Sequence, residues 1–386
     1  MKKRILFIIS NMESGGVSKS MLSLLHTVDK KTYEVDLLVV NPTGIFMNQL
    51  PEGIKIISDE KAGLFFSSFP GNIPALLKKG FWLAAFARLG AAALSRIDRG
   101  WAGVLMSKFL PVLPSKYDLA VDYNGQQQLY YLIDKVSADK KVTFFHSDYG
   151  QWTHYFSADK LYFPKADRIF SISETCTKSL REFFPAVAEK VEVFENISSP
   201  AFIYHQAAEK IPENISGPVL LTVGHLSENK GTSLALGAAK RLKDKEIEFR
   251  WYFIGSDTGE KDYVKTVTEY GLQDYVFFLG LRSNPYPYMA TAAIIVHPSK
   301  FEGKSIALDE AKILAKPVVV TNFTTVTDQF THGYNASITD MNDDNLAAAI
   351  EDLLRNPELA AKYVENLMRD RIDNSGEINK LYTLLA

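Results

Sequence analysis

Two glutamates eight positions apart lie where a short loop enters a helix. Glu302 precedes the helix predicted for residues 305–314, and Glu310 falls in its second turn. Buried strands predicted at residues 294–296 and 318–320 flank this segment, so the whole is a strand, helix, strand unit with parallel strands. Because ligands of such units bind at the carboxyl ends of the strands, this setting favours a binding function over a solvated pair of acids.

The start of the same helix offers hydrogen-bond donors. The first N–H groups of a helix have no partner within it, and the positive end of the helix dipole favours an anion. The donors predicted here are the N–H groups of Gly303, Lys304, Ser305 and Ile306. A sugar hydroxyl needs an acceptor and a diphosphate needs donors, and this turn offers both.

A second loop repeats that geometry after the strand predicted at residues 219–223. Gly224 allows the backbone to approach a ligand, and Lys230 can reach back toward it as a point charge. Taken alone, Lys230 would be an exposed lysine beside a helix cap. Combined with the two glutamates, it favours an anion site.

The rest of the chain supplies the elements that would position these residues. Strands alternate with helices twice over, and the polar stretch at residues 211–218 separates the two series. The predicted fold is α/β, with two Rossmann-like, doubly wound parallel sheets that face each other across a cleft. The predicted domains are residues 1–205 and 206–370, with a C-terminal segment at 371–386 that returns to the first domain.

Composition limits the function classes. The chain has 386 residues, 46% of them hydrophobic, which is enough for two cores. A net charge of -2 gives no electrostatic footprint for nucleic acid. Cys176 is the single cysteine, so a disulfide within the chain and a thiolate metal cluster are excluded, and we expect a cytoplasmic protein.

Several short motifs together resemble the retaining glycosyltransferases of family 4, which have the GT-B fold. The motifs are Val223-Gly224-x-Leu226 with Lys230-Gly231, Phe278-Leu279-Gly280, His297-Pro298-Ser299 leading into Glu302-Gly303, Glu310-Ala311, and Lys316-Pro317-Val318. The resemblance implies transfer of a sugar from a nucleotide diphosphate sugar, UDP or GDP, with retention at the anomeric carbon, no metal and no other cofactor. It also implies a glycan or lipid-linked acceptor in cell-surface glycan synthesis.

The resemblance also implies a role for each matching residue. Glu302 would hold hydroxyls of the donor sugar, Glu310 the ribose hydroxyls and Lys230 the diphosphate, while His146 would contact the transferred sugar. Glu302, His146 and Lys230 are therefore the predicted catalytic residues. The other predicted donor-binding residues are Gly15, Gly16, Gly224, His225, Arg282, Gly303, Lys304, Ser305, Ile306 and Glu310.

The chain departs from the family at two places. His225 stands where an arginine usually pairs with the diphosphate, and Lys304-Ser305-Ile306 replaces the usual Phe-Gly-Leu. A histidine of ordinary pKa is mostly neutral at pH 7, whereas arginine is always charged. Our hypothesis is that Lys304 joins Lys230 in neutralising the leaving diphosphate, although an outward-facing Lys304 fits the sequence equally well.

Residues 78–116 are basic and rich in aromatic side chains. The segment contains seven lysines and arginines but a single acid, Asp98, and Trp82, Phe86 and Trp101 are interleaved with the basic residues. This composition suits peripheral contact with an anionic membrane at its inner face. Packing of the aromatic residues into a core fits equally well.

Two other kinds of function remain open. One is another GT-B enzyme, such as a nucleotide-sugar epimerase or a phosphorylase. The other is a catalytically silent subunit that binds a nucleotide, for which His225 in place of arginine is the support.

Overall fold

The computed structural model of the chain describes residues 2–13, 15–211, 215 and 217–385. Contacts between residues divide the chain into two compact units. The first unit comprises residues 1–197 and 375–386, and the second comprises residues 198–374.

The first unit contains a seven-stranded parallel sheet of strand order β3-β2-β1-β4-β5-β6-β7. Its strands are β1 (Lys3–Ile9), β2 (Tyr33–Val39), β3 (Ile54–Ile57), β4 (Tyr117–Asp122), β5 (Ala138–Phe145), β6 (Arg168–Ser171) and β7 (Val191–Val193). Its first eight helices are α1 (Gly16–Thr27), α2 (Glu60–Phe66), α3 (Asn72–Lys78), α4 (Trp82–Leu94), α5 (Arg99–Ser107), α6 (Gln127–Lys135), α7 (Phe156–Tyr162) and α8 (Glu174–Phe183).

The second unit repeats this plan with a six-stranded parallel sheet of order β10-β9-β8-β11-β12-β13. Its strands are β8 (Val219–Val223), β9 (Arg250–Ile254), β10 (Val276–Gly280), β11 (Ile294–His297), β12 (Val318–Thr321) and β13 (Ser337–Thr339). Its helices are α9 (Pro200–Ala207), α10 (Thr232–Asp244), α11 (Tyr263–Glu269), α12 (Tyr286–Thr291), α13 (Ile306–Ile313), α14 (Asp343–Arg355) and α15 (Pro357–Arg369). The predicted pair of doubly wound parallel sheets is confirmed.

Strand β1 illustrates why these sheets are covered on both faces. Ile5, Phe7 and Ile9 point to one side and pack against α1, whereas Leu6 and Ile8 point to the other side and pack against residues of the β3 to β4 connection and of α6. Because successive side chains of a strand alternate between faces, a strand that is apolar throughout needs a hydrophobic layer on each side.

The chain passes from the first unit to the second between residues 197 and 198, whereas the predicted boundary lies between residues 205 and 206. Helix α9 belongs to the second unit because Ile203 is buried among that unit's core residues. Pro212, Glu213, Asn214 and Ser216, in the polar stretch predicted to separate the domains, lie outside the described residues.

The last part of the chain returns to the first unit. Helix α16 (Asn379–Thr383) places Leu381 in the core beside α1, together with Ile378 and Leu385. The ring of Tyr382 stacks on Tyr33 with centroids 4.6 Å apart.

None of the helices in the described ranges is both long enough and apolar enough to cross a membrane.

Candidate active site

The second unit brings two loops together at the point where its strand order reverses. Strands β8 and β11 are neighbours in the sheet. The chain continues from β8 toward the β10 edge and from β11 toward the β13 edge, so the loops after the carboxyl ends of β8 and β11 leave a crevice between them. We call residues 224–231, after β8, the first loop and residues 298–305, after β11, the second loop. Each loop leads into a helix, α10 or α13.

Direct backbone contacts hold the two loops against each other. The N–H of Lys300 donates to the carbonyl oxygen of Asn229 at 2.8 Å. Gly231 has a positive φ of 71° and lies so close to Pro298 that a Cβ atom would overlap the Pro298 carbonyl oxygen. Glycine is required there on both counts. Lys230 therefore lies between two residues that are fixed to the opposite loop.

Glu302 receives three hydrogen bonds on one carboxylate oxygen. Its Oε1 accepts from Lys230 Nζ at 2.7 Å, from Ser299 Oγ at 2.8 Å and from His297 Nε2 at 3.0 Å. The other oxygen, Oε2, accepts no hydrogen bond from any residue that the structure describes. The structure thus joins two predicted site residues, Lys230 and Glu302, and leaves Oε2 with capacity for a ligand hydroxyl.

The surroundings of Glu302 keep it ionised. Burial acts to raise its pKa, but the hydrogen bond from His297 and the charge of Lys230 outweigh burial and lower the pKa to about 2. An ionised carboxylate accepts stronger hydrogen bonds than a neutral group does. At neutral pH the side chain is therefore an acceptor and not an acid.

Polar side chains from the segment after β12 hold the second loop in place. Thr325 Oγ1 donates to the carbonyl oxygen of Glu302 at 2.9 Å, and Gln329 Nε2 donates to that of Ser305 at 2.8 Å. The Gln329 Oε1 atom accepts from the N–H of Ser305 at 3.0 Å. The prediction that the Ser305 N–H is free for a ligand is therefore wrong, because that donor is already used.

Lys304 does not extend into solvent. Its side chain is 5% exposed, and its Nζ lies 3.8 Å from Oδ2 of the buried Asp309, in the first turn of α13. Of the two orientations that the sequence allows, the outward one is absent. Gly303 precedes Lys304 in the second loop, and Ile306 follows Ser305 as the first residue of α13.

Glu310 is buried beneath the helix start. It is 1% exposed, and its Oε1 accepts from the Tyr286 hydroxyl of α12 at 2.8 Å. Burial and then the negative charge of Glu310 raise the pKa of Tyr286 well above its usual value, so the hydroxyl remains a donor. The carboxylate is thereby oriented by a tyrosine for which the sequence pattern contains no signal.

Two more predicted donor-binding side chains have partners at the edge of this unit. His225 Nδ1 lies 2.7 Å from Ser256 Oγ, and Arg282 Nε donates to the Tyr288 hydroxyl at 3.3 Å. Gly224 is anchored to the end of β9, where its N–H donates to the Ile254 carbonyl at 2.9 Å.

Three predicted site residues belong to the first unit. Gly15 and Gly16 are exposed at the start of α1. His146 follows β5, with its ring 4.7 Å from that of Tyr123. Both ring nitrogens of His146 are buried without a well-aligned hydrogen bond to the described part of the chain, and the backbone of Tyr123 and the side chain of Asn196 are the polar groups that act on the ring. Burial lowers the pKa of His146 to about 4, so the ring is neutral at pH 7.

Replacing His146 with glutamine is expected to reduce the acid sensitivity of the fold. A histidine whose pKa falls from 6.5 in the unfolded chain to about 4 on folding gives stability that is complete above pH 6.5 and is lost as the pH falls toward 4. Between pH 7.5 and 5 the loss amounts to about 2 kcal/mol. Urea unfolding at both pH values should show that the unaltered protein loses about 2 kcal/mol relative to His146→Gln over this range.

The exposed His205 gives the matched control, because His205→Gln should keep the full pH dependence. Asp122, whose pKa burial raises to about 7, contributes with the opposite sign, and its contribution cancels between variants. Equal pH dependence in the His146 variant and the unaltered protein would contradict the buried, neutral ring.

The sequence reasoning missed the residues that orient Glu302. His297 is 4% exposed, and Ser299 is 1% exposed. Their signal was available, since both belong to the His-Pro-Ser motif that precedes the glutamate. Thr325 and Gln329 carried no such signal.

The second unit matches a known family. Residues 205–369 match the model of the glycosyl transferases group 1. A Campylobacter jejuni relative, N-acetylgalactosamine-N,N'-diacetylbacillosaminyl-diphospho-undecaprenol 4-alpha-N-acetylgalactosaminyltransferase, is 30% identical over 162 residues, which are 42% of this chain and 43% of the relative. The chain thus matches less than half the length of that relative.

Two further comparisons extend over more of the chain. The amylovoran biosynthesis glycosyltransferase AmsK of Erwinia amylovora is 25% identical over 261 residues, or 64% of this chain and 62% of the relative. The crystal structure of Anabaena HepE in complex with UDP-glucose superposes with a TM-score of 0.70 and 17% identity, covering 99% of both chains. The chain therefore has the GT-B fold, and residues 205–369 carry the sequence features of the glycosyl transferases group 1.

Proposed function

We propose that the chain is a retaining, metal-independent glycosyltransferase that moves a sugar from a nucleotide diphosphate sugar to a glycan or lipid-linked acceptor. The observation that carries this proposal is the pair formed by Lys230 and Glu302 across the two loops. It presents a cation for a diphosphate beside a carboxylate with one unused oxygen for a hydroxyl. The family match of the second unit and the UDP-glucose bound by the similar Anabaena structure support the same reading.

In this proposal the second unit holds the donor. Lys230 donates to the diphosphate with the ammonium protons that Glu302 does not use, and Glu302 Oε2 accepts from a hydroxyl of the sugar. Glu310 accepts from the ribose, and Arg282 lies against the base. Lys304 and His225 complete the surroundings of the diphosphate, together with the N–H groups of the loops.

In the transfer step, the bond between the anomeric carbon and the diphosphate oxygen breaks, and the electron pair leaves with the diphosphate. The acceptor oxygen forms the new bond to that carbon on the same face, and its proton passes to the departing phosphate. Fixed cations and N–H donors around the leaving group stabilise its negative charge without reorganisation. Glu302 remains ionised throughout, so it does not act as a general acid. In this proposal its role is to bind the sugar and orient Lys230.

His146 is the proposed contact of the transferred sugar. Its place directly after β5 supports this role, because ligands of parallel sheets bind at the carboxyl ends of the strands. Gly15 and Gly16, at the exposed start of α1, would face the phosphates and the acceptor.

The acceptor class rests on the relatives. The Campylobacter relative acts on a diphospho-undecaprenol-linked sugar, and AmsK belongs to amylovoran biosynthesis. A lipid-linked or polymeric glycan is the corresponding acceptor proposed here. Such an acceptor would bring the enzyme to the inner face of the membrane.

Nucleoside diphosphates are expected to raise the melting temperature of the protein. A ligand present at 100 times its Kd stabilises the folded state by about 2.7 kcal/mol. A thermal shift screen of UDP, GDP, ADP and CDP should single out one base, and the matching nucleotide sugar should then release that diphosphate when a glycan acceptor is added. AMP is the control, because it lacks the second phosphate.

The same screen separates the alternatives. Stabilisation without acceptor-dependent release would favour a silent nucleotide-binding subunit, and turnover of the nucleotide sugar without acceptor would favour an epimerase. The absence of stabilisation by any nucleoside diphosphate would overturn the proposed donor site.

A further inference from the structure

Helix α4 exposes a row of large apolar side chains. Trp82, Leu83, Phe86 and Leu89 are 59%, 76%, 65% and 45% exposed, and Ile97, just beyond the helix, is 86% exposed. Within α4 the spacings of three and four positions place Trp82, Leu83, Phe86 and Leu89 on one side of the helix, and Ile97 follows after its end. We call these five residues the α4 stripe. The aromatic residues of α4 are thus not packed into the core.

The opposite side of α4 explains why this stripe is not a folding defect. Ala84 and Ala85 are buried against Phe65 and Leu76 of the preceding helices. The helix is therefore anchored by its small residues and turns its large ones outward. Contiguous exposed apolar surface of this kind marks a contact with a partner or a membrane.

A basic pocket adjoins the stripe. A cavity of about 750 Å³ lies between the α4 to α5 turn and the start of α7, and Ile97 belongs both to its wall and to the stripe. Its positively charged lining residues are Arg96, Arg99 and Lys160, beside His154. The Arg99 Nη1 atom lies 3.3 Å from His154 Nε2.

The cations of this basic pocket outnumber its acid by three to one. Within the described ranges, no carboxylate forms an ion pair with Arg96, Arg99 or Lys160. The one acid in the lining, Asp98, is occupied at the start of α5, where its Oδ1 accepts from the Trp101 N–H at 3.0 Å and from the Ser157 hydroxyl at 2.6 Å. An anion is the ligand that this electrostatic surface selects.

We propose that the α4 stripe docks on an anionic lipid bilayer, with α4 lying along the surface and the basic pocket taking the phosphate of a lipid headgroup. Apolar side chains on one face with flanking cations are the combination that binds the interfacial region of a bilayer. A second copy of the chain fits less well, because it would bring the same cations to the patch without acids to meet them. The proposal concerns docking and does not depend on the transfer reaction.

The test is co-sedimentation of the full-length protein with vesicles at low salt. We expect binding to vesicles with 30% phosphatidylglycerol to be at least tenfold stronger than to pure phosphatidylcholine, and to weaken as salt is added. Trp82→Ser/Phe86→Ser should lower the partition coefficient at least tenfold. Arg96→Gln and Arg99→Gln should each lower it about fivefold, since one cation near the surface contributes about that factor.

Two matched substitutions control for nonspecific effects. Val264→Ser removes an apolar side chain of the second unit that is 63% exposed, and Lys178→Gln removes a cation of the first unit whose side chain is 80% exposed. Both should bind vesicles like the unaltered protein, and all variants should keep its melting temperature. Equal binding to neutral and anionic vesicles, or unchanged binding by the α4 variants, would overturn the proposal. A dimer that the α4 variants dissociate, without vesicle binding, would overturn it in favour of a second copy.

Discussion

Glu302→Gln is expected to lower kcat/KM for the nucleotide sugar by about 10²- to 10³-fold, the size of effect seen when a fixed polar group in an active site is removed. The amide is nearly isosteric with the carboxylate, so the loop should keep its shape. What changes is the charge that holds Lys230 Nζ at 2.7 Å and His297 Nε2 at 3.0 Å. The amide also replaces part of the acceptor capacity with donors. Steady-state rates of diphosphate release with acceptor present measure the effect.

The control for this variant is Glu269→Gln. Glu269 is an exposed acid of the same unit whose Oε1 lies 3.6 Å from Lys265 Nζ. Exposed pairs of this kind contribute little, so its rates and stability should be unchanged. A Glu302→Gln protein with full kcat/KM would remove Glu302 from the proposed site, whereas one that fails to fold would be recognised by its unfolding curve.

The strands could be predicted from the sequence because their burial leaves a plain signal. The predicted strand at residues 219–223 agrees with β8, Val219–Val223, and that at residues 318–320 lies within β12, Val318–Thr321. Both strands lie inside a sheet that is covered on each face, so nearly all their residues are apolar and the neighbouring turns are polar. The same rule located the helix between β11 and β12.

Helices α2 to α5 leave a weaker signal in the sequence. Their apolar residues occur on the exposed side as well as the buried side, as Phe86 and Ala85 of α4 show. Periodicity identifies a helix by contrast between its faces, and here that contrast is weak. The composition of residues 78–116 therefore indicated a basic, aromatic segment, but only the fold decides which aromatic side chains reach the surface.

The site itself was predictable in part. Lys230 and Glu302 are 72 positions apart and meet because their loops follow neighbouring strands, which the order of elements already implies. The hydrogen bonds that Ser299 and His297 donate to Glu302 depend on side-chain orientation, and those between Gln329 and Ser305 depend on a segment beyond β12. The sequence motif places Ser299 and His297 near Glu302 but does not specify which atoms are bonded. This is why the Ser305 N–H, free by helix rules, proved to be bonded to Gln329.

Lys230→Met should weaken binding of the nucleoside diphosphate by about tenfold to a hundredfold, because hydrogen bonds to charged groups contribute about 1.5–3 kcal/mol. Methionine keeps the length and apolar stem of lysine and removes the ammonium. Titration calorimetry with the diphosphate selected by thermal shift gives the affinity directly. Lys300→Met is the matched control, since Lys300 lies in the opposite loop, and its exposed pair with Glu228 spans 3.4 Å.

The stability difference between Lys230→Met and the unaltered protein should depend on pH in a way that identifies the ionised Glu302 as its cause. Because the folded pKa of Glu302 is depressed to about 2, its ionisation contributes stability that is complete above pH 4.5 and is lost as the pH falls toward 2. Without Lys230 that contribution shrinks, so Lys230→Met should be about 2 kcal/mol less stable at pH 7. The difference from the unaltered protein should narrow near pH 3, where less of Glu302 is ionised in the variant.

The double variant Lys230→Met/Glu302→Gln measures how much the interaction between the two side chains contributes, apart from what each side chain contributes alone. If the ammonium mainly compensates the buried carboxylate, removing both charges should cost less stability than the sum of the single changes, with a coupling of about 0.5–3 kcal/mol. Diphosphate affinity should behave differently, because the ammonium contacts the ligand in its own right and its loss is not repaired by removing the acid. Additive effects on stability would mean that the 2.7 Å contact contributes nothing to the fold. Restored diphosphate affinity in the double variant would mean that Lys230 acts only by neutralising Glu302, and the cation for the leaving group would then have to be sought among the remaining basic residues of the two loops.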